Sequence, residues 1–218
     1  MLEHKNKVEL IGFYGGDETH ALSAWTSTSR ELNEDKRARI GKLLKMLANE
    51  GHGTPFEKSS LHFLVTSECA SHIHALKHRV GVSINAESAR YKELKDDKFY
   101  VPHDWPKHLQ SRLEEHAKVS FGLYHQTLKE LIELGFDKKR AKESARLFNP
   151  YATQLTADVM FNFRSFAHFV NLRASEHAQL EVREIALEML RLVKETHAFD
   201  LTLEAFDMDL LLKHGAIG

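Results

Sequence analysis

The spacing of apolar residues changes several times along the chain, and each change marks an element. Val8 to Tyr14 (VELIGFY) is a short apolar run closed by Gly15-Gly16, which predicts a strand and a turn. From Asp35 to Glu50, the residues Ile40, Leu43, Leu44, Met46 and Leu47 recur at helical spacing, and Gly51 is a natural stop. The turn-rich stretch His52-Gly53-Thr54-Pro55-Phe56-Glu57 leads to a second predicted strand, Leu61 to Thr66, and then to a helix from Ala70 to Arg79. Breaks at Tyr100-Val101-Pro102 and Trp105-Pro106 precede a long amphipathic helix or helix pair, Lys107 to Leu134, closed by Gly135. Lys138 to Leu147 predicts another helix, which Asn149-Pro150 ends. Thr153 to Met160 alternates as a strand would, and Arg164 to Arg173 and Glu176 to His197 have helical spacing. Ala21 to Arg30 is ambiguous, and the tail beyond Phe199 is mixed. Helices dominate over three or four strands, with no repeat and no linker that demands a division. The expected class is α+β, one domain over residues 1–218.

Charge and composition narrow the function. The 218 residues carry a net charge of −1, so no global field draws the chain to nucleic acid or to an anionic membrane. Any anion site must be a local cluster. The single cysteine, Cys69, cannot form an internal disulfide and points to a reducing compartment. The start, MLEHKNKVELIGF, has no long apolar core or small-residue cleavage site, and no apolar run approaches a membrane span. A cytoplasmic protein without signal peptide, membrane partner or nucleic-acid partner is expected.

The densest polar chemistry lies from Lys77 to Tyr91, KHRVGVSINAESARY. Lys77-His78-Arg79 is a basic head and Val80-Gly81-Val82 a turn. Ser83, Asn85, Glu87, Ser88 and Arg90 then supply donors and acceptors suited to a base edge, a phosphate and a sugar hydroxyl. Arg90 can bind a phosphate bidentately. On a helix, three successive cations point in different directions and could simply complement the C-terminal dipole. The segment therefore reads as an anion-binding stretch between two ordered elements.

Other constellations are weaker. His74 and His78 have the i, i+4 spacing of metal ligands, yet no third ligand is near and no HExxH is present, so a hydrogen-bonding role is favoured. Arg164, His168 and Arg173 share one predicted helix. At about 100° per residue, Arg173 falls opposite Arg164, so the helix is expected to serve two surfaces, as at a subunit interface. Cys69 precedes a helix, where a dipole lowers a thiol pKa, but no positioned base accompanies it and an inert cysteine is favoured. No GxGxxG or GxxxxGK[ST] loop supports a Rossmann or P-loop site. The competing reading is a helical nucleic-acid-binding module that uses the Lys77–Arg79 and Lys138–Arg146 clusters.

His78 to Tyr91 resembles the signature of the flavin-dependent thymidylate synthases (the ThyX family): an Arg-His-Arg triplet, a short spacer, then Ser-x-Asn-Glu-x-Ser-x-Arg-Tyr. Here these are Lys77-His78-Arg79 and SINAESARY. His52 to Glu57 resembles the family's H-x-T-P-F-E block. Ala145-Arg146 matches an Ala-Arg pair, and Asn162-x-Arg164-Ser165 with Asn171 to Gln179 (NLRASEHAQ) resembles its C-terminal block. Lysine replaces the first arginine of the triplet, the spacer to Ser88 is one residue longer, and Ala86 stands where a carboxylate usually follows the asparagine, with Glu87 after it.

The resemblance implies reductive methylation of dUMP to dTMP. 5,10-Methylenetetrahydrofolate would give the carbon, FAD would carry the hydride and NADPH would reduce the flavin, in a homotetramer whose sites draw on several subunits. No cysteine nucleophile is implied. Arg173 is the implied catalytic residue, polarising the uracil ring. Thr54, Lys77, His78, Arg79, Glu87, Asn162, Arg164 and His168 are implied to hold the cofactor. His74, Lys77, Glu87, Ser88, Ala89 (through its backbone N–H), Arg90, Arg146 and Arg173 are implied to hold the nucleotide. Ser27 or Ser29 is a further candidate flavin contact.

Overall fold

The computed structural model describes residues 4–88, 90 and 93–214. Four strands, β1 (Lys7–Tyr14), β2 (Ser60–Glu68), β3 (Val82–Ala86) and β4 (Gln154–Phe161), form an antiparallel sheet in the order β1-β2-β4-β3. The helices are α1 (Asp17–Trp25), α2 (Glu34–Arg37), α3 (Ile40–Asn49), α4 (Cys69–Leu76), α5 (Lys107–Glu133), α6 (Lys138–Ala145), α7 (Phe163–Arg173), α8 (Leu180–Glu195), α9 (Asp200–Ala205) and α10 (Met208–His214). The chain is therefore α+β and helix-rich. None of the described helices is long and apolar enough to cross a membrane.

By internal packing the chain forms two compact units, each assembled from segments distant in sequence. The first comprises Met1–Lys7, Thr66–Ala75 and Asn85–Ala157, and the second Val8–Val65, Leu76–Ile84 and Asp158–Gly218. In the first, the apolar stripe of α5 packs Ala117 and Phe121 with Phe99 and Val101. One turn and more further along, Tyr124 and Leu128 meet Ala141 and Ala145 of α6. The two alanines let α6 lie close, and Asp137 caps its start by accepting from the Lys139 and Arg140 amides.

An aromatic cluster fills the second unit. Phe163 stacks on Phe199 with centroids 5.5 Å apart, and Phe63 stacks on Phe166 at 5.9 Å. His20 is fully buried among Phe56, Phe163 and Phe199. Both its ring nitrogens are satisfied, Nδ1 by the Thr202 hydroxyl at 3.0 Å and Nε2 by the Ser59 hydroxyl at 2.8 Å. Burial lowers its pKa to about 4, so it stays neutral.

Several boundaries differ from expectation. The predicted helix from Asp35 to Glu50 is split: Asn33 starts α2 by accepting from the Lys36 amide, α2 ends at Arg37, and α3 begins at Ile40. Ala21 to Arg30 proves to be the second half of α1, to Trp25, followed by an exposed turn. The mixed tail forms α9 and α10. The most consequential correction concerns the helix expected to reach Arg79: α4 ends at Leu76, and Lys77-His78-Arg79 lies outside it. His74 and His78 therefore do not share a helix face. Among the described residues, no group of three or more His, Cys, Asp or Glu is arranged to hold a metal ion.

Candidate active site

In the second unit, a cavity of about 730 Å³ is built where the loop after α4 meets the start of α7. Helix α7 has two faces. Phe163, Phe166, Ala167, Phe169 and Val170 are buried in the core, while Arg164, Ser165, His168 and Leu172 line the cavity. Asn162 caps the helix by accepting from the Ser165 amide at 2.9 Å. The same corner clamps the turn after the basic triplet. The Ser165 hydroxyl donates to the Val80 carbonyl at 2.6 Å, and the Asn162 amide donates to the Gly81 carbonyl at 3.1 Å. Gly81 has a φ of +66°, and a Cβ there would run into Ser165 Oγ and Asn162 Nδ2, so only glycine fits.

This turn explains why the triplet leaves the helix. In a helix, its three side chains would fan apart by about 100° each. As a loop ahead of the clamped turn, Lys77, His78 and Arg79 all line one cavity. Arg164 Nη1 donates to Glu57 at 2.7 Å, and its side chain lies so close to Gly53 that a Cβ there would sit 2.6 Å from Nε. The turn-rich stretch before β2 is thus tied to the start of α7. At the other end of α7, Arg173 Nε donates to His78 Nε2 at 3.0 Å. Arg164 and Arg173 therefore reach the same cavity. The expected division between two surfaces is not what one protomer shows, because a long arginine in the last turn bends back to its partner.

Among the described residues, Lys77, Arg79, Arg164 and Arg173 face one lining carboxylate, Glu57, which Arg164 already pairs. The local excess of positive charge suits an anionic ligand of dinucleotide size, and the volume lies in the range of small-molecule sites.

The first unit holds a second cavity, of about 380 Å³, lined by Glu87, Ser88, Arg146, Asn149, Tyr151 and Cys69 among others. Arg146 opens the 3₁₀ turn Arg146–Phe148 directly after α6, where the expected helix to Leu147 gives out. Glu87 is held by the backbone of β4: its amide donates to the Thr156 carbonyl at 2.8 Å, and the Thr156 amide donates to its carboxylate at 3.4 Å. Asn149 Oδ1 is buried with no hydrogen-bond partner among the described residues, so it lacks a donor that a ligand could supply. The Cys69 thiol donates to the Thr153 carbonyl at 3.5 Å. Burial and the neighbouring Glu68 carboxylate push its pKa up, which keeps it protonated and unsuited to nucleophilic attack.

The structure thus gathers Lys77, His78, Arg79, Asn162, Arg164, His168 and Arg173 around the larger cavity and Glu87, Ser88 and Arg146 around the smaller. The remaining expected contacts are not among the lining residues. Thr54 is exposed at the start of the 3₁₀ turn Thr54–Glu57, and the lining residue from that turn is Glu57. His74 is half-buried on α4 and lines neither cavity. Arg90 pairs with Glu143, and Ala89 lies outside the described residues. Ser27 and Ser29 occupy the exposed turn after α1, where the Ser27 hydroxyl donates to the Ala24 carbonyl. Sequence reasoning missed Glu57, Ser165, Asn149 and Tyr151 as lining residues. The first two stand inside the matched blocks, whereas Asn149 was read only as a helix stop.

A family model described as thymidylate synthase complementing protein matches residues 9–197. The flavin-dependent thymidylate synthase of Thermosipho africanus is 30% identical over 217 residues, 93% of this chain and 91% of that protein. That of Pseudothermotoga lettingae is 32% identical over 195 residues, 86% of this chain and 84% of that protein. Among solved structures, the UMP/dUMP methylase PolB from Streptomyces cacaoi, bound with 5-Br dUMP, is similar with a TM-score of 0.78 and 26% identity, covering 94% of this chain and 95% of that one.

Proposed function

The chain belongs to the family of flavin-dependent thymidylate synthases, and from that premise we propose that it converts dUMP to dTMP by reductive methylation in the cytoplasm. Its cofactor is FAD, its carbon donor is 5,10-methylenetetrahydrofolate and its reductant is NADPH. The observation that carries this reading is the larger cavity, where the triplet, the Asn162–Ser165 corner and Arg173 converge from separate stretches of sequence. Lys77, Arg79 and Arg164 balance the charge of the cofactor's phosphates there, and Asn162 and His168 offer polar contacts. When bound, the flavin supplies the redox step, which no side chain can perform.

The nucleotide is held by the smaller cavity. Arg146 meets the phosphate as a charge-assisted fork, Ser88 offers a hydroxyl, and Asn149 Oδ1 gains the donor it lacks. Arg173 stabilises negative charge that develops on the pyrimidine ring. The reading requires a homotetramer in which several subunits complete each site. Cys69 takes no covalent part.

The test is direct. Purified protein should take up FAD and turn yellow, and should release tritium from 5-labelled dUMP only when folate and reductant are both present. A protein that stays colourless with added FAD would sink the reading. Similarity to a methylase described as acting on both UMP and dUMP favours a second reading, in which UMP is also accepted. Comparing kcat/KM for the two nucleotides decides between them.

A further inference from the structure

Arg173 and His78 meet across 95 residues of sequence, Nε donating to Nε2 at 3.0 Å. An imidazole nitrogen that accepts a hydrogen bond does not carry the ring proton, so the proton sits on Nδ1 and the ring is neutral. The ring is also held by packing. Phe169, one turn before Arg173 on α7, meets it edge-on with centroids 4.9 Å apart, and Phe169 is itself in the core. His168 approaches the same ring at 6.2 Å. The contact uses Nε of the arginine and not the two terminal nitrogens, which form the fork that recognises planar anionic groups. A long, flexible side chain gains a fixed direction in this way without losing its binding end.

We infer that His78 is a positioning residue for Arg173: a neutral acceptor, backed by Phe169, that fixes the guanidinium so that its terminal nitrogens meet the pyrimidine ring. This rests on the proposed reaction and refines it, because the resemblance gave His78 to the flavin. A cation left free to swing would still attract the nucleotide. It would not be in place when charge develops on the ring, and loss of orientation of that kind costs up to about 10²-fold in rate. The signature of positioning is therefore a fall in kcat with KM little changed.

Two substitutions separate positioning from cofactor binding. His78→Leu removes the acceptor and keeps a comparable volume, whereas His78→Gln keeps an acceptor that can reach Arg173 Nε. In the flavin-loaded enzyme, the leucine variant should lose about 10- to 10²-fold in kcat, with flavin content and the KM for dUMP little changed, and the glutamine variant should recover most of that loss. The double variant His78→Leu/Arg173→Ala should be no slower than Arg173→Ala alone, since two groups that act as a unit are not additive. If the leucine variant loses flavin while turnover per bound flavin holds, His78 serves the cofactor and the inference is overturned. A readout independent of catalysis is the ¹⁵N spectrum of histidine-labelled protein. His78 should show a protonated Nδ1 and a bare Nε2, and Arg173→Ala should move its signals. A His78 signal indifferent to Arg173 would overturn the contact even in an active enzyme. Failure of the unmodified protein to take up flavin or methylate dUMP would instead sink the reaction and leave this spectrum standing.

Discussion

Arg90 Nε meets a carboxylate oxygen of Glu143 at 2.5 Å, and the other oxygen of Glu143 faces Arg140 at 3.8 Å. The motif arginine expected to grip a phosphate is thus engaged by a carboxylate of α6. Where Arg90 joins Arg146 at the nucleotide, as the resemblance implies, the phosphate competes with Glu143 for this guanidinium. Both partners are partly exposed, so the pair contributes no more than about 1 kcal/mol. Glu143→Gln should therefore lower the KM for dUMP, by up to about fivefold, with kcat unchanged. A higher KM in steady-state assays would show that Glu143 assists binding.

Arg173→Ala should retain the flavin absorbance and lose turnover. A donor that stabilises developing charge contributes about 10²- to 10³-fold to kcat. Turnover that survives the substitution would remove Arg173 from the chemistry.

Cys69 lines the smaller cavity as a protonated thiol. Cys69→Ala should leave turnover and substrate affinity essentially intact and cost about 1 kcal/mol of stability through lost packing. A folded but inactive variant would point to covalent catalysis.

Gly81→Ala should weaken flavin binding and lower the melting temperature together. Alanine in the left-handed region costs about 1–2 kcal/mol, and its methyl would push Ser165 and Asn162 off the turn. Normal flavin affinity in a titration would mean that the turn is not needed to shape the cavity.

Stability should fall in mild acid. The folded-state pKa of His20 is about 4, against an ordinary 6.5, so between these values the unfolded chain binds a proton that the folded chain refuses. The contribution is fully present above pH 6.5 and lost as pH falls through about 4, about 3 kcal/mol in all. His72, also lowered by burial, adds to the slope. Urea titrations across this window should show the decline, and His20→Asn should flatten it without abolishing it. An unchanged slope would mean that other groups control acid sensitivity.

Elements with a strong, uninterrupted period were legible in the sequence: β1, α5 with its glycine stop, and α7. Helix α1 was not, because it buries only His20 and Ala21 and is fixed by contacts from far along the chain, such as the Asp17 amide on the Ala198 carbonyl at 2.9 Å. Helix α9 likewise depends on Phe199 finding the aromatic cluster. The end of α4 was misread because apolar spacing does not register that Gly81 must lie against Asn162 and Ser165. For the site, the resemblance of the motif blocks implied His78, Arg146, Arg164 and Arg173, which line the two cavities. Which groups pair was invisible: nothing local says that Arg90 turns to Glu143 or that Arg173 turns to His78. Asn149 carries no signal at all until its oxygen is seen buried and unanswered.

Each compact unit is stitched from three stretches of the gene, and the second needs Asp158–Gly218, which lies beyond every stretch of the first. No single cut in the coding sequence can therefore separate one unit from the other. A cut after Ala157 leaves the first unit's three stretches joined to an incomplete second unit, and the larger cavity, whose lining runs from Glu57 to Arg173, is lost from any fragment that stops short of α7.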